Sequence, residues 1–214
     1  MAEETRMLTA DIELRTDVDN NSTAIGYAAK FNSLSSNLGG FVESIAPGAF
    51  TQTLATGTGV DARALWNHDS GQLLGRMSAE TLNLVEDEVG LRFEIDLPNT
   101  TTGRDVRELL NRGDVQGASF GFRVIDDSWG ETEQGYPLRE LRSVSLSEVS
   151  LVTFPAYPET EVALRSLADN KDLSFDDVAA AAAANELKSL IDQPTESEVP
   201  GETHTKVPRS AGYR

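Results

Sequence analysis

The chain has 214 residues with 18 basic and 35 acidic side chains, a formal net charge of −17, two histidines and no cysteine. The missing cysteine excludes disulfides, thiolate zinc sites and cysteine nucleophiles, and the negative charge argues against partners such as duplex nucleic acid or anionic membranes. No apolar run approaches the roughly 20 residues that span a bilayer, and the N-terminus shows no secretory signal, so we expect a soluble cytosolic protein.

The composition changes near residue 168. Residues 1–167 carry 13 basic and 26 acidic side chains, or −13, and are rich in Val, Phe, Gly and turn residues. Residues 168–214 carry 5 basic and 9 acidic side chains, or −4, and combine a run of alanines with a tail rich in Pro, Glu, Ser and Thr. Such a tail cannot bury a core. We therefore predict one folded domain over 1–167 and a flexible C-terminal arm over 168–214.

Strands dominate the predicted domain, because apolar residues recur at every second position in many of its segments. In chain order the strand candidates are Leu8–Leu14, Ala24–Phe31, Ala62–Trp66, Gln72–Met77, Thr81–Glu86, Gly90–Leu97, Ala118–Val124, Leu138–Leu141 and Val144–Thr153. Many short strands joined by tight turns are typical of antiparallel sheets that close, or nearly close, into a barrel. We expect an α+β domain with a mostly antiparallel β-barrel and a few flanking helices.

Three helices are predicted beside the strands. A short one follows Pro47. A longer one begins at the capping-box pattern Thr102–Asp105 and ends before Gly113, because glycine tolerates the left-handed conformation that follows many helices. The third lies in the C-terminal arm, where Ser174 is the predicted N-cap and the helix extends through Ile191.

The pattern Gly-Ala-Ser-Phe-Gly at 117–121 is the strongest local candidate for chemistry. Small residues beside Ser119 would let a carbonyl carbon approach the hydroxyl and let backbone N–H groups face the developing oxyanion. The pattern also marks the nucleophile elbow of α/β-hydrolases, but there a helix follows the serine. Here a strand continues after Ser119, and the only later histidine is His204 in the polar tail. Taken alone, Ser119 is better explained as a small residue on a crowded strand.

His68 stands at the end of a predicted strand, in the segment Trp66–Asp69. An imidazole there can reach a neighbouring strand, and its pKa near neutrality suits a general base for a serine hydroxyl. Taken alone, His68 is more simply a surface-loop residue. Two isolated histidines do not make a metal site, and we expect neither a metal nor a cofactor.

A late strand carries a carboxylate among apolar neighbours. Strict alternation over residues 143–152 places Glu148 on the same face as Val144 and Leu146. A carboxylate on that face is costly unless it is paired or hydrogen-bonded. Glu148 could orient an imidazole, or it could pair with an arginine such as Arg123 or Arg142. The sequence leaves both interpretations open.

Five segments of the domain form an ordered set: Gly26–Phe31, Glu43–Phe50, Trp66–Asp69, Gly117–Phe122 and Glu148–Tyr157. Each is weak alone, but five in this order are specific, and they span roughly residues 24–167. The set resembles the prohead proteases of tailed bacteriophages, a family similar to herpesvirus assemblin. The resemblance implies a serine endopeptidase on a β-barrel ringed by helices. It also implies an enzyme of the host cytoplasm that works inside the assembling prohead and cleaves scaffold and capsid precursors, and usually itself.

The resemblance implies roles for individual residues. Ser119 corresponds to the nucleophile and His68 to the general base. Assemblins use a second histidine after the serine as the third member, and this domain has none there. Glu148, in the matching late strand, is the replacement we expect, and Asp69 is the alternative. Apart from the resemblance, we expect backbone N–H groups near Ser119 and Phe120, assisted by Arg123, to form the oxyanion hole.

The expected partners follow from the same resemblance. They are the major capsid protein precursor and its scaffold segment, with the portal and a second copy of the chain as further candidates. The C-terminal arm would join the internal scaffold or be removed by self-cleavage. An alternative from a different class is a non-catalytic capsid assembly or scaffolding module, because assembly factors often combine acidic surfaces with helices and polar tails of this kind.

Overall fold

The computed structural model describes residues 3–55, 59–153 and 160–191, with only the backbone for residues 160–162. The strands are β1 Glu4–Thr9, β2 Glu13–Thr16, β3 Ser22–Lys30, β4 Val42–Ile45, β5 Arg63–Trp66, β6 Asp69–Arg76, β7 Leu82–Glu86, β8 Gly90–Asp96, β9 Gly117–Glu131 and β10 Pro137–Val152. The helices are α1 Thr51–Leu54, α2 Thr101–Arg112, α3 Thr160–Lys171, α4 Phe175–Ala183 and α5 Leu187–Ile191. The predicted α+β class, with mostly strands and few helices, is confirmed.

The strands form two sheets that share one core. The larger sheet has the order β1-β9-β10-β5-β6, and β4 also pairs with β10; the smaller has the order β2-β3-β8-β7. Core side chains come from both sheets, for example Phe93 from β8 and Phe122 from β9. In the described ranges no strand pairing links the two sheets, so the structure shows no closed barrel. The apolar residues of both sheets are buried together in this one core.

The longest strand, β10, makes the larger sheet mixed. It pairs with β9 in antiparallel fashion over most of its length. Near its start it pairs in parallel with β4, and near its end in parallel with β5. Strand β4 is absent from the sequence prediction, and the two predicted strands Leu138–Leu141 and Val144–Thr153 are one strand with register shifts between Leu141 and Val144.

The predicted strand Leu8–Leu14 is two strands in different sheets. The chain leaves the larger sheet after β1, where the Ala10 N–H donates to the Gln116 carbonyl at 3.0 Å, and enters the smaller sheet at β2. The alternation continues across this crossing because both sheets direct apolar side chains, such as Leu8 and Leu14, to the same core. The alternation of apolar residues therefore predicts correctly which side chains face the core, but it does not reveal that the chain passes from one sheet to the other.

Helix α2 begins earlier than predicted. The side chain of Thr100 accepts a hydrogen bond from the Gly103 N–H at 3.1 Å, so Thr100 is the N-cap instead of Thr102. The end is confirmed, since Gly113 adopts the left-handed conformation with φ 77°. Among the described residues no helix is long and apolar enough to cross a membrane.

Helices α3, α4 and α5 pack around a second apolar cluster. Its buried members include Leu38 and Phe41, which precede β4, and Leu167, Val178 and Leu187 from the three helices. The sequence prediction lacks α3, and its boundary at 167/168 falls within that helix. The predicted third helix is divided into α4 and α5, with the predicted N-cap residue in place at the start of α4. The rest of the arm lies outside the described residues.

A buried ionic group joins the start of the chain to the β9–β10 hairpin. We call it the arginine cluster, and it consists of Arg6, Arg139, Glu4, Glu43 and Asp127. Arg139 is fully buried and lies 2.8 Å from Glu4, 3.1 Å from Glu43 and 2.7 Å from Asp127. Arg6 lies 2.6 Å from Glu4 and 2.8 Å from Glu43. The cluster thereby ties together β1, β4, β9 and β10.

Candidate active site

Ser119 lies on β9 with its side chain directed away from the core. Its neighbours Ala118 and Phe120 belong to the core, and successive side chains of a strand point to opposite faces. In the strand pairing Ser119 is opposite Met7 of β1 and Ser150 of β10. Directly opposite residues share a face, with Cβ atoms about 5 Å apart. The outer face of the larger sheet therefore holds Ser119 and Ser150 side by side.

A β-bulge in β10 brings Glu148 to this outer face. The register shifts so that Leu146 is opposite Phe122, whereas Glu148 is opposite Gly121. One extra residue in the strand reverses the alternation, so Leu146 stays in the core and Glu148 leaves it. The prediction that Glu148 shares a face with Val144 and Leu146 is wrong, because strict alternation does not anticipate a bulge.

His68 is held in a tight turn between β5 and β6. Asn67 and His68 both have left-handed backbone conformations, with φ 51° and 60°. The Asn67 N–H donates to the Leu151 carbonyl at 3.0 Å, and the Asn67 side-chain oxygen accepts from the Thr153 N–H at 3.0 Å. Residues other than glycine adopt this conformation only where surrounding contacts stabilise it. The bonds to β10 therefore fix the turn and direct His68 towards that strand.

His68 and Glu148 form a hydrogen-bonded pair. Nδ1 of His68 lies 2.6 Å from Oε1 of Glu148. The side chain of His68 is 27% exposed and that of Glu148 12%, so the contact is largely shielded from water. A carboxylate only accepts hydrogen bonds, and it therefore favours the tautomer with hydrogen on Nδ1. In that tautomer Nε2, which is buried, is the basic nitrogen.

Ser150 forms hydrogen bonds to both members of this pair. Its hydroxyl donates to Oε2 of Glu148, with the oxygens 2.5 Å apart. The hydroxyl oxygen of Ser150 also accepts a hydrogen bond from the backbone N–H of His68 at 3.2 Å. Ser150 is fully buried. The two carboxylate oxygens of Glu148 thus serve different partners, one the imidazole and the other the serine.

The hydroxyl of Ser119 is directed at β1. It donates to the backbone carbonyl of Arg6, 2.9 Å away, and the side chain is fully buried. A serine hydroxyl has a single proton, so in this conformation Ser119 does not donate to the imidazole of His68. The structure brings His68 and Glu148 into contact and places Ser119 on the same face, opposite Ser150.

The glycines at 117 and 121 provide space for side chains of β10. A Cβ atom at Gly121 would lie 2.9 Å from Oε1 of Glu148, and one at Gly117 would lie 2.9 Å from a methyl carbon of Val152. Both distances are shorter than normal contacts between carbon and these atoms. The small residues on either side of Ser119 therefore belong to the packing of two neighbouring strands, and the Glu148 carboxylate depends on one of them.

Asp69, the alternative third member, has other partners. Its two carboxylate oxygens accept from the Gly71 N–H at 2.8 Å and from the side-chain amide of Gln72 at 2.9 Å. The bond from Gln72, followed by the bond from Gly71, lowers the pKa of Asp69. Asp69 stabilises its own loop, and Glu148 is the carboxylate next to the imidazole.

The arginines considered as partners of Glu148 also lie elsewhere. Arg123 is 61% exposed, and its guanidinium is 3.9 Å from Glu3. Arg142 forms an exposed ion pair with Glu140 at 2.9 Å. The structure therefore favours the imidazole over an arginine as the partner of Glu148.

The residues around His68 fit proton transfer better than metal binding. In the part of the chain that the structure describes, no group of three or more histidine, aspartate or glutamate side chains could hold a metal ion. The site offers one imidazole, one carboxylate and serine hydroxyls, which are the groups used for general base catalysis and nucleophilic attack.

Two features of the site are missing from the sequence prediction. One is the contact of Ser150 with both members of the pair, and no local pattern indicates it. The other is the bulge, for which a signal exists. Buried apolar residues occur at Val144 and Leu146 and then at Val149 and Leu151, so one interval is three residues instead of two. An interval of three within a strand pattern indicates an inserted residue.

The chain matches one protein family along most of its length. Residues 10–173 match the family model of caudovirus prohead serine proteases. The chain is 32% identical over 146 residues to the prohead protease of Enterobacteria phage HK97, a match that covers 67% of this chain and 60% of that protein. The chain therefore spans less than two thirds of the relative's length. The solved structure of the bacteriophage T4 capsid assembly protease matches with a TM-score of 0.44 and 10% identity, over 70% of this chain and 98% of that one.

Proposed function

This chain belongs to the caudovirus prohead serine protease family, and from that premise we propose that it is a serine endopeptidase of capsid maturation. Ser119 is the proposed nucleophile, His68 the general base and Glu148 the residue that orients the base. The observation that carries the proposal is the 2.6 Å hydrogen bond between His68 Nδ1 and Glu148 Oε1, on the sheet face to which Ser119 also belongs. Serine, histidine and an acid serve together in this way on several unrelated folds.

The proposed reaction proceeds through an acyl-enzyme. Nε2 of His68 takes the hydroxyl proton as Ser119 attacks the scissile carbonyl carbon, and Glu148 stabilises the imidazolium that forms. The tetrahedral intermediate collapses when the imidazolium gives its proton to the leaving amine. Water then attacks the ester, again with His68 as the base, and releases the second product and the free serine.

Ser119 must release its bond to the Arg6 carbonyl before it reacts. Its proton is engaged with the Arg6 carbonyl at 2.9 Å, and rotation about χ1 gives access to the other staggered positions. Hydrogen bonds of catalytic groups often become short and linear only when substrate is bound. The backbone N–H groups around Ser119 lie in a strand that is paired on both sides, which argues against them as oxyanion donors, and Arg123 remains the proposed donor.

The proposed substrates are the major capsid protein precursor with its scaffold segment and this chain itself, within the assembling prohead of the host cytoplasm. Family membership supports this proposal, and so does the similarity to the HK97 protein, a prohead protease. Residues 1–167 are the proposed protease domain, and 168–214 are the proposed arm that joins the scaffold or is removed. The portal and a second copy of the chain are further proposed partners.

Co-expression with the capsid precursor of the same phage tests the function. We expect wild-type chain to convert the precursor to a shorter product, detected by mass spectrometry, and Ser119→Ala to leave it intact. Ser143→Ala is the matched control, because its hydroxyl lies on β10 away from His68 and makes one long bond of 3.4 Å to Gln52. Cleavage by Ser119→Ala at the wild-type rate would overturn the assignment.

A fluorophosphonate probe distinguishes the enzyme from a scaffolding module. The probe reacts with a serine only when a base activates it. We expect labelling at Ser119 in the wild-type chain and none in His68→Ala. Absence of labelling in the wild-type chain under conditions that support assembly would favour the non-catalytic module.

A further inference from the structure

We propose that Ser150 is the positioning residue of the His68–Glu148 pair, a role that rests on the proposed function. Its hydroxyl is the donor to Oε2 of Glu148 at 2.5 Å and the acceptor from the backbone N–H of His68 at 3.2 Å. One hydroxyl group therefore contacts the acid and the base at the same time. This shared contact links the carboxylate of the acid to the backbone of the base.

The bond to Oε2 fixes the plane of the carboxylate. Glu148 uses Oε1 for the imidazole and Oε2 for Ser150. A carboxylate held at one oxygen only can rotate about its terminal bond, and this torsion is broad. Because Ser150 is fully buried, water does not compete for this bond, and a hydrogen bond in such surroundings is stronger than in solvent. The serine thus keeps Oε1 directed at Nδ1.

The bond from the backbone fixes the base itself. His68 has a left-handed conformation with φ 60°, which requires stabilising contacts. Its N–H donates to the oxygen of Ser150. Loss of that oxygen would therefore affect the orientation of the carboxylate and the position of the histidine backbone together.

The same contacts argue that Ser150 is not the nucleophile. Its proton is engaged by a carboxylate on the Nδ1 side of the imidazole, whereas the general base of the proposed reaction is Nε2. Ser119, by contrast, donates to a neutral backbone carbonyl. Two serines directly opposite each other in the β9–β10 pairing therefore have separate roles, one in attack and one in orientation.

Histidine NMR tests the proposal directly. The chain has two histidines, His68 and His204, so a His204→Gln background leaves one imidazole. With ¹⁵N-labelled histidine in the full chain, we expect His68 to be mainly the Nδ1–H tautomer. Ser150→Ala should lower that tautomer population and reduce kcat for a peptide spanning the precursor cleavage site by about 10- to 100-fold, with KM changed less than about twofold. Ser150→Thr retains a hydroxyl and should restore both.

Thr53→Val is the matched control. The Thr53 hydroxyl is also buried and also makes one donor and one acceptor bond to β10, to the Val144 carbonyl at 2.9 Å and from the Leu146 N–H at 3.0 Å. Its loss removes comparable bonds away from the pair. We expect the His68 tautomer and kcat to remain as in wild type, even though the melting temperature falls.

Three results would overturn the positioning role. One is a Ser150→Ala chain with wild-type tautomer population and kcat. Another is an equal tautomer change in Thr53→Val, which would show a general loss of stability. The third is fluorophosphonate labelling at Ser150. If the wild-type chain neither cleaves the precursor nor reacts with the probe, the proposed function fails, whereas a tautomer change in Ser150→Ala alone still supports the link to Glu148.

Discussion

The β9–β10 hairpin contributes to two sites at which buried carboxylates have different partners. Towards the end of β10, Glu148 is bonded by one imidazole and one hydroxyl. Nearer its start, Arg139 binds three carboxylates in the arginine cluster, and a second arginine, Arg6, binds two of the three. Both groups satisfy charges that would otherwise be costly to bury. They differ in whether the partner can change its charge.

A guanidinium keeps its charge at every pH at which the protein is folded. Burial lowers the pKa of Arg139, but its hydrogen bonds and the charges of Glu4, Glu43 and Asp127 outweigh burial and raise it. An imidazole, in contrast, gains and loses a proton near neutral pH. The arginine cluster therefore holds the architecture, and the His68–Glu148 pair is suited to move a proton. The two groups meet at β1, because Arg6 belongs to the cluster and its carbonyl accepts the hydroxyl proton of Ser119.

Glu148→Gln should have the largest effect, and the effect should be on activity. An amide at this position can donate to Nδ1 and so stabilise the wrong tautomer, and kcat should fall by about 10⁴-fold. Urea unfolding should show a chain as stable as wild type to within about 1 kcal/mol, as is usual for a change that retains shape. Glu140→Gln, on the same strand but in an exposed ion pair, should keep full activity. Undiminished kcat in Glu148→Gln would remove the acid from the proposed triad.

Arg139→Met should have the opposite profile. It leaves the carboxylates of Glu4, Glu43 and Asp127 with less positive charge in a buried place, and such losses cost about 3–5 kcal/mol. Urea unfolding followed by circular dichroism measures the difference. Arg142→Met, which removes an arginine from an exposed pair, should cost less than about 1 kcal/mol. Equal stability losses in the two variants would contradict the structural role of the cluster.

Gly121→Ala should lower activity by displacing the Glu148 carboxylate, and it should leave the ion pairs of the arginine cluster intact. The new Cβ would lie 2.9 Å from Oε1 of Glu148, so the carboxylate must move, and kcat should fall by about 10- to 100-fold because displacements near 1 Å are sufficient for such losses. Gly130→Ala is the matched control on the same strand, since a Cβ there meets nothing within 4 Å. If both variants cleave peptide equally well, the space at Gly121 is not needed for the orientation of Glu148.

Local sequence patterns predict many of the strands, but they do not predict how the strands pair. Alternation predicts the bounds of β3, β5, β7 and β8 closely, and in β7 and β8 buried residues do recur at every second position. Which strands pair depends on distant parts of the chain. For that reason the crossing from β1 to β2 and the parallel pairing of β4 with β10 are absent from the prediction.

In the candidate site, too, the sequence predicts some features and misses others. The resemblance of the sequence to a protease family predicts the roles of Ser119 and His68. Glu148 is predicted because a carboxylate on an apolar strand is costly unless it has a partner. The contact between His68 and Glu148 at 2.6 Å requires a bulge in β10 and a left-handed turn after β5, which neither composition nor spacing specifies. The role of Ser150 cannot be predicted from the sequence, because it depends on hydrogen bonds to His68 and Glu148, which are distant from each other in the chain.

The smallest expected effect is on the pH dependence of the arginine cluster. Burial raises the pKa of Glu4, but the hydrogen bond and charge of Arg139, together with Arg6, outweigh burial, and the pKa is lowered below its ordinary value of 4.5. Near this pH the folded state therefore binds fewer protons than the unfolded state. The stability that the Glu4 ion pairs contribute is present above pH 4.5, and it is lost as the pH falls towards the lower pKa of the folded state. Glu4→Gln removes the titrating group. In urea titrations over this acidic range its unfolding free energy should fall less steeply than that of wild type, by at most about 1.4 kcal/mol per pH unit. Glu108→Gln removes an exposed carboxylate from α2 and is the control, and an equal flattening there would show that burial within the cluster is not the cause.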